Sequence, residues 1–180
     1  MKKLSMEELH RLSVEDYKKS EKAPLVVVLD NVRSQNNVGS VFRTGDAFRI
    51  QKLCLCGITA VPPHRDIHKT ALGSEDSVDW QHYDETTDCV KELKEQGYKV
   101  FAVEQVDDSI KLGDENWTVN DGAMGIVLVF GNEIEGVQQE VISLCDGSLE
   151  IPQFGTKHSL NISCAAAIVI WEATKRCNHC

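Results

Sequence analysis

The chain has 180 residues, of which 42% are hydrophobic and 26% charged, a balance typical of one globular domain with a single sizeable core. Its formal net charge of −9 argues against a protein that coats nucleic acid without specificity, because such binding depends on neutralising phosphates. The longest apolar run, Cys164 to Trp171, is too short to span a bilayer, and no secretory signal follows the first residues, so we expect a cytoplasmic protein without a membrane partner.

Residues 1–22 are predicted to form a charged helical arm, followed by a single domain over residues 23–180. In the arm, Ser5 and Glu8 match a capping box, in which each side chain bonds the backbone N–H of the other residue. The domain begins with "APLVVVLD" (23–30), a continuous valine-rich run typical of a strand that is covered on both faces.

The segment "NNVGSVFRTGDAF" (36–48) predicts a helix, because its apolar residues recur every three or four positions. Asn36 and Asn37 come just before this seam and are expected to cap the helix. The seam itself consists of Val38, Val41, Gly45 and Phe48. A polar stripe is predicted on another face, made of Asn37, Ser40, Arg43 and Thr44. The helical pattern alone does not say what this stripe is for.

Strands and helices alternate over the rest of the chain, which predicts a parallel sheet with helices on both faces. Two prolines in "VPPHRDIHK" (61–69) predict a loop without regular structure. The remaining strands are predicted within 52–58, 98–105, 124–133 and 148–153. The remaining helices are predicted within 84–97, within 137–146 and, as the closing helix, from about Ser159 to Arg176.

Ligands of such sheets bind in loops at the carboxyl ends of the strands. Three loops with polar residues are predicted at this edge, over 30–37, 130–136 and 151–161. In the second, Gly131 lets the backbone turn sharply and Glu133 follows it, a pattern equally typical of a plain turn with a solvated glutamate. In the third, Ser159 is expected to cap the closing helix and Asn161 to lie in its first turn. This would suit either an anion site or a plain capped core helix.

Several other classes of site have little support in this sequence. No Gly-x-Gly-x-x-Gly follows the first strand and no Walker motif occurs, which argues against a dinucleotide-dependent oxidoreductase. The seven cysteines mostly lie in apolar runs and are read as small hydrophobes in a reducing compartment. The C-terminal "CNHC" contains one Cys-x-x-Cys pair without a second pair, so we expect no metal site.

Taken together, the three loops resemble the motifs of the SpoU-type ribose 2′-O-methyltransferases of the SPOUT superfamily. The stretches "NNVGSVFRTGDAF", "LVFGNEIEGV" and "IPQFGTKHSLNISCAAAI" occur in the family's order and strand-to-helix contexts, and the resemblance runs from about Leu25 to Trp171. It implies a deep trefoil knot in the C-terminal half, whose loops bind S-adenosylmethionine. The element pattern alone does not predict a knot, since knots are almost absent from proteins.

The same resemblance implies roles for individual residues. The family's catalytic arginine corresponds to Arg43 and its helix-capping asparagine to Asn37. The other polar positions of the catalytic site correspond to Glu133, Ser159 and Asn161. Contacts with the adenosine of the methyl donor, mostly through backbone atoms, correspond to Val103, Gly131, Ile151 and Leu160.

The implied reaction is methyl transfer from S-adenosylmethionine to a ribose 2′-hydroxyl of structured RNA, either tRNA or rRNA. DNA lacks that hydroxyl and is not expected as a substrate. Two roles are open for Arg43: a general base, or a charged group that grips a phosphate and stabilises the developing alkoxide. We favour the second, because a guanidinium normally stays protonated.

The resemblance also implies a homodimer, in which Arg43 of one subunit approaches the cofactor pocket of the other. Local basic residues are expected to contact the RNA: Arg33, Arg65, Lys69, Lys157 and the arm segment 17–22. A non-catalytic RNA-binding protein on a methyltransferase scaffold is the alternative from a different class. The presence of every polar residue named above argues against it.

Overall fold

A seven-stranded sheet forms the centre of the computed structural model, which describes residues 1–5, 8–114, 117 and 122–177. The strands are β1 (Ala23–Asp30), β2 (Ile50–Cys56), β3 (Trp80–Tyr83), β4 (Lys99–Val103), β5 (Ile110–Lys111), β6 (Ile126–Phe130) and β7 (Gly147–Glu150). They lie in the order β3-β2-β1-β6-β4-β7-β5, and their pairings are parallel. The predicted parallel α/β architecture is therefore confirmed.

Helices cover both faces of this sheet. They are α1 (Val14–Lys19), α2 (Gln35–Ala47), α3 (Arg65–Ala71), α4 (Ser74–Ser77), α5 (Thr86–Glu95), α6 (Gln139–Ile142) and α7 (Ile162–Arg176). Alternate residues of β1 belong to two separate apolar clusters, because successive side chains of a strand point to opposite faces. Val27 joins the cluster formed with α2, α3 and α7, whereas Val28 joins the cluster formed with α5 and α6. The valine-rich run is thus buried on both sides, as predicted.

The C-terminal part of the chain crosses the sheet before it closes the fold. Strand β7 pairs with β4 and β5, and α7 then returns to pack on α2, β1 and β6. The connecting segment, residues 151–161, therefore passes over the carboxyl ends of the central strands.

Regular structure begins within residues 61–69, despite the prolines at positions 62 and 63. Helix α3 begins at Arg65, and His64 caps it by accepting a hydrogen bond from Asp66 N–H to Nδ1 at 3.2 Å. The loop prediction was wrong because a proline restricts its own backbone and that of the preceding residue, but not a helix that starts two residues later. A Cβ at Gly39 would lie 2.2 Å from Thr70 Oγ1, so α3 packs directly on α2.

The N-terminal arm contains one short helix among its described residues. The predicted capping box is present, since Ser5 N–H donates to Glu8 Oε2 at 2.7 Å and Glu8 N–H donates to Ser5 Oγ at 3.3 Å. A turn over residues 8–10 follows, and α1 begins only at Val14. Tyr17 of α1 is buried in the main apolar cluster.

None of the helices within the described ranges is long and apolar enough to cross a membrane.

Candidate active site

A cavity of about 560 Å³ lies at the carboxyl ends of β4, β6 and β7. Its walls come from the residues after these strands, in the ranges 103–105, 130–136 and 149–162. All four residues predicted to contact the adenosine line it: Val103, Gly131, Ile151 and Leu160. Three of the five predicted catalytic residues also line it: Glu133, Ser159 and Asn161. The cavity therefore brings together loops that are far apart in the sequence.

Gly131 directly follows β6 and allows the next loop to fold back on itself. A Cβ at this position would lie 2.0 Å from Gly136 C and 2.1 Å from Val137 N, closer than any side chain can approach. Asn132 and Gly136 then exchange two backbone hydrogen bonds of 2.9 Å across the turn. A residue with a side chain at position 131 would thus open the turn that forms one wall of the cavity.

The carboxylate of Glu133 connects this turn to the first loop. Its Oε2 accepts a hydrogen bond from Arg33 N–H at 3.1 Å, and its Oε1 accepts bonds of 3.1 Å from Ser34 N–H and from Asn37 Nδ2. Asn37 Oδ1 in turn accepts a bond of 3.2 Å from Asn161 Nδ2. Each of the three predicted loops thus contributes one side chain to a continuous hydrogen-bonded chain.

The pKa of Glu133 lies below its ordinary value of 4.5. Burial acts to raise this pKa, but the hydrogen bonds from Arg33 N–H, from the backbone of Glu133 itself, from Asn37 and from Ser34 together outweigh burial. Because the pKa is lower in the folded state, the carboxylate stabilises the fold above pH 4.5, and this contribution is lost as the pH falls through the folded-state pKa.

We expect Glu133→Gln to remove part of the loss of stability that the protein shows on acidification. Gln cannot ionise, so the variant should be less stable than the parent chain at neutral pH and should approach it at acid pH. Thermal unfolding followed from pH 7 to below the ordinary carboxyl pKa of about 4.5 measures this difference. Glu135→Gln, which changes an exposed side chain of the same turn, is the control. Parallel pH profiles for the parent and Glu133→Gln would contradict the expectation.

The predicted caps of α2 and α7 were each wrong by a few residues. Ser34 caps α2, because its Oγ accepts the Asn37 N–H at 3.3 Å, and the Asn37 side chain instead faces Glu133. Asn161 caps α7, because its Oδ1 accepts the Ser163 N–H at 2.9 Å, whereas Ser159 lies in the exposed segment before the helix. Local sequence offered several residues able to cap, and contacts between loops decided which of them did.

The predicted polar stripe of α2 does not form one cluster. Ser40 and Thr44 each donate a hydrogen bond to the carbonyl four residues before them in the same helix, at 2.8 and 3.0 Å. Arg43 is exposed, lies outside the cavity and makes neither a hydrogen bond nor an ion pair with any residue that the structure describes. The apolar seam is confirmed at Val38, Val41 and Gly45, which are buried.

Two carboxylates that were not predicted from the sequence hold the loops in place. Glu104 follows β4 and accepts hydrogen bonds from Gln105 N–H at 2.9 Å and from Val137 N–H at 3.1 Å. Asp30 ends β1, is fully buried, and accepts a bond of 2.6 Å from Thr86 Oγ1 and one of 3.0 Å from Gln138 N–H. The signal available in the sequence was their position, each being an acidic residue at the end of an apolar strand.

No group of three or more His, Cys, Asp or Glu side chains able to bind a metal occurs among the described residues. Of the C-terminal "CNHC", Cys177 is half-buried, and residues 178–180 lie outside the described residues.

Similar proteins agree with the motifs that form this site. The model of the SpoU rRNA Methylase family matches residues 24–171. A tRNA (guanosine(18)-2′-O)-methyltransferase of Thermus thermophilus is 28% identical over 169 residues, which are 94% of this chain and 84% of that protein. The Escherichia coli protein of the same name is 28% identical over 155 residues, 84% of this chain and 63% of that protein.

Solved structures resemble the fold over the same region. A TrmH/SpoU tRNA modifying enzyme of Aquifex aeolicus superposes with a TM-score of 0.77 and 27% identity, over 92% of this chain and 81% of that one. An AdoMet-bound rRNA methyltransferase from Sinorhizobium meliloti gives a TM-score of 0.76 and 26% identity, over 88% of this chain and 59% of that one. The chain therefore belongs to the SpoU rRNA methylase family of S-adenosylmethionine-dependent RNA 2′-O-methyltransferases.

Proposed function

We propose that the chain transfers a methyl group from S-adenosylmethionine to a ribose 2′-hydroxyl of a structured tRNA or rRNA. The observation that carries this proposal is the hydrogen-bonded chain Asn161–Asn37–Glu133, which joins the three family motifs at the edge of one cavity. Similar proteins named as tRNA and rRNA methyltransferases support the substrate class. On the same grounds we propose that the protein acts in the cytoplasm.

The cavity fits S-adenosylmethionine in size and in chemistry. Its volume of about 560 Å³ lies within the range of about 300–1,000 Å³ typical of small-molecule sites. Among the described residues, the backbone groups of 151–160 make one hydrogen bond, from Gln105 Nε2 to His158 O at 2.9 Å. The other amides and carbonyls of this segment remain available to a ligand, as a nucleoside held mainly by backbone atoms requires.

The charge of the cavity suits the same cofactor. Four glutamates line it, Glu104, Glu133, Glu135 and Glu150, and a sulfonium ion is positively charged. Val103, Gly131 and Ile151, at the ends of three strands, and Leu160, just before α7, would hold the adenosine through backbone groups. When bound, S-adenosylmethionine supplies an electrophilic methyl group, and the chain's own residues must orient the attacking hydroxyl.

In this proposal Arg43 acts on the RNA rather than on the cofactor. Its side chain projects from α2 outside the cavity of its own chain, with no partner among the described residues. A protonated guanidinium in that position can bind a substrate phosphate and stabilise the oxygen as its proton leaves. Arg43 of a second copy would approach the cavity only across a subunit interface, which is the arrangement that we propose.

The path of the C-terminal segment supports the trefoil knot that we propose for this chain. The loop after β4 reaches the 151–161 segment through the bond from Gln105 to His158. After that segment, α7 returns to β1 and β6 on the far side of β4.

We also propose residues 1–22 as an arm attached to one domain over 23–180, with Tyr17 as its anchor in the core.

We expect a homodimer in solution, formed in part by α7. Ile168 and Trp171 are adjacent on this helix and remain 41% and 48% exposed, more apolar surface than a solvated helix needs. Sedimentation of the parent chain should give twice the 20.1 kDa of the monomer. Ile168→Glu should weaken the dimer, whereas Lys91→Glu, on the exposed face of α5, should not. A monomer that keeps full activity at micromolar concentration would contradict the shared site.

We expect Ser34→Ala and Asn37→Ala to separate stability from activity. Loss of the Ser34 cap should lower the free energy of unfolding by about 1 kcal/mol, with the methyl-transfer rate largely kept. Asn37→Ala keeps that cap but removes the amide between Glu133 and Asn161, so its larger effect should be on methyl transfer. Chemical denaturation and methyl transfer measured on both variants test this, and the reverse order of effects would refute it.

Four exposed basic residues are proposed to contact RNA phosphates: Arg33, Arg65, Lys69 and Lys157. With a net charge of −9, the chain can hold RNA only where these cations are concentrated.

The direct experiment is incubation of the protein with labelled S-adenosylmethionine and total tRNA or rRNA, followed by mapping of the labelled nucleotide. Transfer of label to a ribose 2′-oxygen supports the proposal. RNA binding without transfer would instead favour the non-catalytic alternative, which the intact catalytic motifs argue against.

A further inference from the structure

A second cavity, also of about 560 Å³, lies beside α3, apart from the candidate active site. Its lining includes Pro62, Pro63, Arg65, His68, Glu75 and Trp80. None of these residues lines the first cavity, and the proposed methyl transfer uses only Arg65, as one of several RNA-contacting cations. The cavity therefore needs an explanation of its own.

Glu75 is the polar group in this cavity with an unmet hydrogen-bonding requirement. Its side chain is 9% exposed, and Oε1 lies 2.5 Å from His68 Nδ1. Its other oxygen, Oε2, is buried and has no hydrogen-bond partner among the described residues. A buried carboxylate oxygen without a donor is unfavourable, so the site is suited to a ligand that brings N–H groups. The His68 side chain that makes this contact is itself 70% exposed.

The remaining lining, which also includes His64 and Asp76, contains apolar surfaces and one exposed arginine that indicate the shape and charge of that ligand. Pro62, Pro63 and the half-buried Trp80 provide flat apolar surfaces suited to a planar ring. Arg65 is an exposed cation at the same cavity, suited to a phosphate. A planar heterocycle with N–H donors at its edge and a phosphate attached is a nucleotide, and RNA-binding proteins commonly stack unpaired bases on aromatic side chains.

Among the four RNA bases, guanine matches a carboxylate best. Its N1–H and N2–H₂ donors lie side by side and can bond both carboxylate oxygens. Adenine and cytosine each place a single amino donor next to a ring acceptor, and uracil flanks its N–H with two carbonyls. Oε1 has a second lone pair available beside its bond to His68, so Glu75 can accept both guanine donors.

We propose that this cavity binds an unstacked guanine of the RNA substrate, with the base on Trp80, its donor edge on Glu75 and its phosphate at Arg65. The inference rests on the proposed function, because it takes RNA as the substrate. The position of the cavity agrees with this proposal. Helix α3, which lines the cavity, packs on α2, the helix that carries Arg43, so the guanine site and Arg43 lie in the same helical layer. The bound guanine would be a recognition base that positions the RNA.

The test is binding of nucleoside monophosphates to the protein saturated with S-adenosylhomocysteine, which blocks the first cavity. The indole N–H resonance of Trp80, assigned by comparison with Trp80→Phe, reports occupancy by NMR. GMP should shift this resonance at lower concentration than AMP, CMP or UMP.

Glu75→Gln, which keeps the shape but loses one acceptor, should weaken GMP binding about tenfold or more and remove the preference. Arg65→Ala should weaken all four nucleotides and keep the preference. Glu95→Gln, an exposed glutamate of α5, should change nothing.

Equal shifts with all four nucleotides, the same shift with inorganic phosphate alone, or no shift with GMP would each overturn the assignment. GMP binding that Glu75→Gln leaves unchanged would also overturn it. Because none of these measurements involves methyl transfer, a failure here leaves the proposed activity untouched. With a labelled RNA substrate, Glu75→Gln should raise KM for the RNA and leave S-adenosylmethionine binding unchanged.

Discussion

Replacing Arg43 with alanine is expected to reduce methyl transfer by more than about a hundredfold, because a charge that stabilises a reacting oxygen contributes on the order of 3 kcal/mol. The fold should tolerate the change. Arg43 is exposed and makes no hydrogen bond or ion pair with the described part of the chain, so the stability should change by no more than about 0.5 kcal/mol. S-adenosylmethionine binding should also survive, since Arg43 does not line the cavity.

Three measurements on the same preparation test this expectation: thermal unfolding, S-adenosylmethionine binding and methyl transfer. Arg43→Lys adds a second test, because a lysine keeps the charge but loses the planar fork that grips a phosphate. It should recover part of the activity if Arg43 acts through its charge. Lys91→Ala, which removes an exposed cation from α5, serves as the control. Wild-type methyl transfer by Arg43→Ala would show that this face of α2 is merely a solvated surface.

Replacing Gly131 with alanine should have the opposite pattern, with a large loss of stability and of cofactor binding together. The added methyl group would lie 2.0 to 2.2 Å from backbone atoms of Gly136 and Val137, which cannot rotate away as a side chain could. The turn over 132–136 must therefore open, at a cost of about 3 kcal/mol or more. Because that turn carries Glu133 and forms one wall of the cavity, S-adenosylmethionine binding should fall with it.

Gly155→Ala is the matched control for this prediction. Gly155 also lies in one of the three motif loops, but a Cβ there would have no atom within 4 Å. Its stability and cofactor affinity should remain close to those of the parent chain. Calorimetric titration with S-adenosylmethionine and chemical denaturation of both variants provide the comparison. Equal effects of the two substitutions would mean that the close backbone packing at Gly131 is not required to form the cavity.

The elements that sequence analysis predicted well are those whose pattern is set by burial. β1 was found at its predicted bounds because a strand covered on both faces must be apolar throughout. Strand β3 was missed because it lies at the sheet edge with partly exposed residues, and β5 because it has two residues. No periodic pattern predicts such strands, because their pairing depends on neighbours that are distant in the sequence.

The candidate site was recovered through motifs rather than through periodicity. Seven of the nine residues predicted for it line one cavity, but two of the predicted helix caps were wrong, as α2 and α7 show. Asn37 carries the type of side chain that favours a cap, yet Glu133, almost a hundred residues away, takes its amide. A capping preference of about 1 kcal/mol cannot decide which residue caps a helix when a charged partner from another loop competes for the side chain.

The chain of bonds from Ser163 to Glu133 has a direction. Glu133 as a carboxylate can only accept, so the Asn37 amide must turn its nitrogen toward it and its oxygen toward Asn161. Asn161 must then point its own oxygen at the Ser163 N–H, so that each donor in the chain points toward the carboxylate. Neither amide can flip alone, because a flip would set two oxygens or two NH₂ groups face to face. Deamidation of Asn37, a change of one atom, would therefore be more disruptive than truncating it, because it would set a second negative charge against Glu133.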